Sequence, residues 1–344
     1  MEVPMTHRER VLKTFRFEKT DHPPYDLMES TVWPELAAYF ADKHELTTNE
    51  DIFNFLDVDF RWLFMSYTGP VPEAAPPVSD ASYPIDNPPN APLRNAHTVA
   101  EVEAYIEANG DFWQAPDCKA AREKWPDHAI VACPGWLALF WSACTVFGME
   151  EALIKMETEP DVFEAYVRKR HKLCMELISR TVDSAAGYAD IVYLGDDYAS
   201  NDATIMHPDT WRKLIKPYVA EEVKLIRDAG MYAIMHSCGA VSEILPDFTE
   251  IGINSHLVFQ TSAKGMEPER IAKDFGGEIV FYGGIDCQHL LTWGTPDDVR
   301  AEVRRNREAF RDCGGYIVSN SHHCISNIKP ENMMAMFEEA REVY

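Results

Sequence analysis

Basic residues are the scarce class in this chain: 32 Lys and Arg stand against 56 Asp and Glu, a formal net charge of -24. So acidic a surface repels phosphate backbones and anionic headgroups, which argues against nucleic acid and against a membrane surface as the main partner. Long apolar runs are missing as well. No stretch approaches the roughly 20 consecutive apolar residues that span a bilayer, and the opening MEVPMTHRER lacks the apolar segment of a signal peptide. Both absences predict a cytoplasmic protein. Neither G-x-G-x-x-G nor G-x-x-x-x-G-K-[ST] occurs, so no segment offers the glycine-rich cradle of a nucleotide phosphate.

What the chain has is ample core. Its 344 residues are 46% apolar, enough for one barrel-sized domain over 1–344 or for two ordinary ones. Eight cysteines could staple a small secreted domain, but a long, core-rich chain does not need them, so free thiols are expected. Thr6 with Glu9 three residues on is a capping box, and Val11, Leu12 and Phe15 follow at helical spacing, predicting a helix within residues 1–22 that Pro23 and Pro24 stop. Eight prolines between Gly69 and Pro92 forbid a helix or central strand there. Residues 69–98 read as an ordered, extended excursion near the mouth of the fold, with Tyr83 and Ile85 apolar enough to pack.

From about residue 128 short β-rich runs alternate with long amphipathic stretches. The runs are HAIVACPG (128–135), DIVYLGDD (190–197), MYAIMHSCG (231–239), INSHLV (253–258), EIVFYGGID (278–286) and GYIVSNSHHC (315–324); PPYDLM (23–28) and DVDFRWLF (57–64) extend the series. Helices open with proline at Pro160, Pro208, Pro296 and Pro330, where a missing N–H costs little. Eight runs match the strand count of a closed barrel, so the expected fold class is α/β, a (β/α)8 TIM barrel with N-terminal helical and Pro-rich extensions. An open doubly wound sheet is the alternative.

In such barrels the reactive groups sit where strands run out into loops. His236 and Cys238 are two residues apart, and an extended backbone sends both side chains from one face, where one ion can take both. His322 and Cys324 repeat the spacing at the last run. Together the two strand ends offer a closed Cys2His2 set, which is structural, or three ligands with an open position, which is catalytic. Asp196 and Asp197 follow a strand and a glycine, where a carboxylate has a functional reading, as general acid or base, substrate orienter or support behind the metal ligands, and a structural one, as cap of the next helix or turn. Asp286 has the same two readings, and His256 reads as a core histidine. Trp33, Trp62, Trp136 and Trp141, with Phe64 and Phe140, either wall a flat substrate or pack.

These segments resemble the uroporphyrinogen decarboxylase superfamily, and within it the zinc-dependent, corrinoid-linked methyltransferases. The resemblance rests on THRERVLKTFRFEKTDHPPYDL, YLGDDYASNDATIMHPDTWRKLIKPY, GMYAIMHSCGAVSEILPDFTEIGIN, FYGGIDCQHLL, GGYIVSNSHHC and KPENMMAM, and so spans nearly the whole chain. The superfamily's decarboxylases hold porphyrinogen carboxylates with arginines in the first barrel loop, and Asp21 to Pro34 contains none. The methyltransferases bind zinc through H-x-C and a later cysteine, which maps onto His236 and Cys238. Counting back from Pro330-Glu331-Asn332, the later position holds His322, with Cys324 two residues on, so the ligand has changed type or the loop has slipped.

The resemblance implies zinc, a corrinoid (cobalamin) carried by a partner protein, and a small-molecule methyl donor. A harder, more Lewis-acidic zinc suits an ether or alcohol oxygen better than a soft thiol, so a methoxylated aromatic donor is expected. Transfer from methyl-corrinoid to a thiol or to tetrahydrofolate is the alternative in kind. A metal-free decarboxylase and a non-catalytic metal-binding protein are the alternatives of other classes.

Overall fold

The structure is a computed structural model that describes residues 5–69, 91–106, 110–324 and 327–343. Most of the proline-rich excursion, Tyr83 and Ile85 included, lies outside the described residues.

Seven of the eight runs become parallel strands: β1 (Phe60–Phe64), β2 (Ala129–Cys133), β3 (Ile191–Gly195), β4 (Tyr232–His236), β5 (Ser255–Phe259), β6 (Val280–Ile285) and β7 (Tyr316–Asn320). They hydrogen-bond in chain order, with helices on the returns from β2 onward. An open doubly wound sheet reverses its order at a switch point; here the order never reverses, and the sheet curls as in a TIM barrel.

The eighth run departs from expectation. Pro23 and Pro24 have no N–H to give a ladder, and PPYDLM forms a single bridge, Tyr25 to Val318 of β7. Val318 N–H donates to the Pro24 carbonyl at 2.9 Å, and Asp26 N–H returns to the Val318 carbonyl at 3.0 Å. Toward β1, the N–H of Asp59 donates to the Tyr25 carbonyl at 3.1 Å. Among the described residues the sheet is therefore curled but not closed by an eighth strand; the segment lies between its two edges.

Strand alternation sorts the core into two layers. Phe60, Trp62, Val131, Ile191, Tyr193, Ile234, Val280 and Tyr282 form one buried cluster inside the curl. Their neighbours Ile130, Ala132, Val192, Leu194, Ala233 and Met235 pack in a second cluster with the helices. Each of the larger aliphatic and Phe side chains contributes roughly 1.5–3 kcal/mol by leaving water, and the alanines about 0.8 kcal/mol or less.

The predicted capping box opens the helix His7–Phe15, and Val11 and Phe15 join the inner cluster, with the Phe15 ring 4.6 Å from that of Tyr232 at the start of β4. This helix plugs the N-terminal end. The stretch expected as one helix from Pro208 splits into Pro208–Leu214 and Lys216–Asp228, because Pro217 cannot donate to the preceding turn. The helices Pro160–Ala185, Pro296–Ala309 and Pro330–Arg341 open on the expected prolines.

Candidate metal centre

Ile234 faces inward from β4, so His236, two residues on, does too. The extended backbone continues one step further, with Ser237 N–H donating to the Leu257 carbonyl at 2.7 Å. Cys238 therefore emerges beside His236, its Sγ 3.5 Å from the imidazole Nε2. Two ligands of one tetrahedral zinc stand roughly 3.4–3.7 Å apart, given Zn–N near 2.0–2.1 Å and Zn–S near 2.3 Å. The pair has that separation.

The turn after Cys238 requires glycine. Gly239 has φ +85°, and a Cβ there would sit 2.4 Å from the Ser200 carbonyl oxygen. That contact stitches the loop after β3 to the loop after β4: Ala240 N–H donates to the Ser200 carbonyl at 2.8 Å, and Cys238 N–H to Asp197 Oδ1 at 2.9 Å.

At the end of β7, Asn320 organises the second strand end. Its Nδ2 donates to the His322 carbonyl and, at 3.3 Å, to Cys324 Sγ, while its Oδ1 accepts from Met28 N–H. The outcome separates the two candidates there. One ligand atom each from His236, Cys238 and His322 all lie within 4.8 Å of one another. Cys324 is not in that group; it is buried, in side-chain contact with Cys287. The donor set of two nitrogens and one sulfur suits borderline-soft zinc.

Sequence reasoning missed Glu29. Its Oε1 lies 3.1 Å from His236 Nδ1, and its Oε2 3.9 Å from His323 Nδ1. A carboxylate there accepts a hydrogen bond from Nδ1–H and leaves Nε2 facing Cys238, which favours the tautomer a metal ligand needs. Glu29 reaches His236 from a left-handed backbone, φ +54°, in the turn Met28–Ser30. The strand-end rule applied to PPYDLM would have found it, since it follows that run directly.

Burial opposes charge on His236, yet the Cys238 thiol and Glu29 carboxylate beside it hold its imidazole well above the usual range. Glu29 is held down by that histidine against its own burial. His322 goes the other way: burial, His236 and His323 lower it to about 4, so it stays neutral with a lone pair free.

The two aspartates divide sharply. Asp196 accepts three backbone N–H bonds, from Leu139, Phe140 and Trp141, at 2.6–2.9 Å, at the N-terminus of the helix Phe140–Phe147. Burial raises it to about 7 against those donors. Its carboxylate is thereby committed to the scaffold. Asp197 is partly exposed and lies 3.8 Å from His236 Nε2. Asp286 caps its own turn, accepting from Gln288, His289 and Leu290, and buried His256 is hydrogen-bonded to the Ser237 carbonyl.

Of the four tryptophans, Trp136 meets the cluster edge-on, 5.1 Å from the His236 ring and 39% exposed. Trp62 lies inside the curl, donating from Nε1 to Asp26, whose carboxyl burial raises to about 7. Trp33 is buried in the outer core, and Trp141 is half-buried beside Asp196. A cavity of about 520 Å³ opens next to Cys238 and His322.

A sequence profile of the uroporphyrinogen decarboxylase (URO-D) family matches residues 129–343, the stretch that supplies β2 to β7 and the three clustered residues His236, Cys238 and His322. The chain belongs to the uroporphyrinogen decarboxylase family. Among solved structures it is similar to a methyltransferase from Methanosarcina mazei, at 16% identity over 98% of both chains and a TM-score of 0.65. At that identity the likeness establishes the fold. An apo 3-keto-D-glucoside 4-epimerase from E. coli is similar more distantly: 10% identity, 73% of this chain and 85% of the other, TM-score 0.41. No helix among the described residues is long and apolar enough to cross a membrane.

Proposed function

We propose that this family member is a zinc-dependent methyltransferase that moves a methyl group from a small donor, a methoxylated aromatic compound, to the cobalt of a separate corrinoid protein. The carrying observation is the convergence of His236, Cys238 and His322 at the strand ends, beside a cavity sized for a monocyclic molecule. The chain is read as one (β/α)8-type domain over 1–344, with Pro24–Asp26 in the eighth strand position.

His236 Nε2, Cys238 Sγ and a nitrogen of His322 would hold the metal. Zinc bound there supplies Lewis acidity at the donor oxygen, which makes its methyl group easier to transfer. Glu29 keeps the His236 ring oriented with Nδ1 protonated. Asp197 holds Cys238 N–H and is the free carboxylate for orienting the donor or passing a proton to the departing oxygen. Asp196, which shared that assignment from sequence, acts instead by fixing the chain at 139–141. Trp136 packs edge-on against the His236 ring, and Trp293 lines the cavity.

The family name favours a second reading, decarboxylation of a tetrapyrrole acid. Against it stand the soft-ligand cluster and the absence of arginine between Asp21 and Pro34. The test is methyl transfer from a methoxylated phenol to a reduced corrinoid protein by zinc-loaded enzyme, read from the cobalt absorbance. Turnover lost in Cys238→Ala supports the proposal; porphyrinogen decarboxylation without metal overturns it. Methylation of a thiol or of tetrahydrofolate by the same enzyme would assign the reverse direction.

A further inference from the structure

We infer that the cavity beside the His236–Cys238–His322 cluster selects an uncharged, oxygen-bearing substrate, read by an amide relay that runs from Gly239 through Gln260 to Asn201. The inference deepens the methyltransferase reading and rests on it only for which bond is broken.

The relay has a fixed direction. Gly239 N–H can only donate, so the Gln260 atom 3.1 Å away is its carbonyl oxygen, Oε1. Gln260 then turns its Nε2 outward, donating to Asn201 Oδ1 at 2.8 Å. With one lone pair of Asn201 Oδ1 taken, its amide has both N–H donors and a single lone pair left to offer. Gln260 is only 7% exposed, so the relay is anchored, while Asn201 stands open at the cavity. A donor at the end of a locked chain recognises an acceptor oxygen.

The rest of the lining agrees in charge. Asn201, Gln260, Gln288, Thr292, Ser321 and Asn327 give the wall its polarity, and no Lys, Arg, Asp or Glu is among the described lining residues. An anion entering here would shed its hydration with no cation from the protein to replace it. The metal the site would hold faces the Cys238 thiolate and the nearby Glu29 carboxylate, which offset its charge. The acidic chain, at -24, adds to the bias. A phenol, ether or alcohol meets neither penalty.

Calorimetric titration of the full chain at about pH 7 with guaiacol (2-methoxyphenol) and with vanillate, which carries the same methoxyl group and a carboxylate, tests this. Guaiacol is expected to bind at least about tenfold tighter, Asn201→Leu to lose about tenfold of that affinity, and Gln288→Arg to shift the preference toward vanillate. Equal or tighter vanillate binding, no binding of either compound, or unchanged guaiacol affinity in Asn201→Leu overturns the inference. The demethylated pair, catechol and 3,4-dihydroxybenzoate, separates it from the parent reading. The same preference there without any methyl transfer keeps the charge inference and removes the methyltransferase; transfer from vanillate as fast as from guaiacol does the reverse.

Discussion

The two ends of the curled sheet are built on opposite electrostatic plans. At the N-terminal end two buried carboxylates each have two cations to answer them: Asp59 takes Arg10 and His7, and Asp190 takes Arg8 and Arg122. At the C-terminal end Glu29, Asp197, His236, Cys238 and His322 gather with no Lys or Arg among the described residues paired to those carboxylates. Matched charges there hold the plug helix in place. Unmatched donor atoms at the C-terminal end make the candidate metal site. In barrels of this kind stability is lodged at one face and chemistry at the other.

Mutations should break the two ends differently. The largest effect is expected from Asp59→Ala, which takes the acceptor from three partly or fully buried donors, Arg10 Nη1, His7 Nδ1 and Tyr25 N–H, and leaves the Arg10 guanidinium to Asp21 alone. A loss of about 3–5 kcal/mol in urea unfolding is expected, with zinc content unchanged in the folded fraction. Glu29→Gln should do the converse: metal affinity about 10–100-fold weaker by competition with a chelator, at nearly unchanged stability of the metal-free protein.

The plug also carries a pH signature. Against the burial that lowers it, hydrogen bonds and charge from Asp57 and Asp59 raise His7 to about 9 from 6.5. Because the folded value is the higher, this stabilisation is full below about pH 6.5 and is lost as pH rises through about 9. The stability difference between wild type and His7→Gln, on the order of 2 kcal/mol at low pH, should vanish above that range. A difference that grows with pH would contradict the assignment. The smallest effect, about 1 kcal/mol, is expected from Asp196→Asn, which weakens three backbone hydrogen bonds at 139–141; loss of zinc in that variant would give Asp196 a role at the metal instead.

The same comparison explains what the sequence disclosed. His236, Cys238 and His322 were legible because each follows a strand recognisable by its own period, and two of them share a face by spacing alone. The choice between His322 and Cys324 was not legible, because it depends on a turn that Asn320 ties through hydrogen bonds to Met28, His322 and Cys324. Glu29 follows the PPYDLM run, where the strand-end rule points to it, but its partner was hidden: it reaches His236 across 207 residues from a left-handed turn that no periodicity encodes. Asp196 and Asp197 are adjacent in sequence, and only tertiary structure gives one to a helix end and the other to the cluster. The strand count was nearly legible, and the eighth position fell short because two prolines withhold the donors of a ladder.

The most direct test of the central claim is zinc content of the purified chain, wild type beside Cys238→Ala, His322→Ala and Cys324→Ala, with folding checked by circular dichroism. About one zinc per chain is expected in wild type and in Cys324→Ala, and none in still-folded Cys238→Ala or His322→Ala. Zinc retained in His322→Ala and lost in Cys324→Ala, or no zinc in any of the four, would contradict the claim.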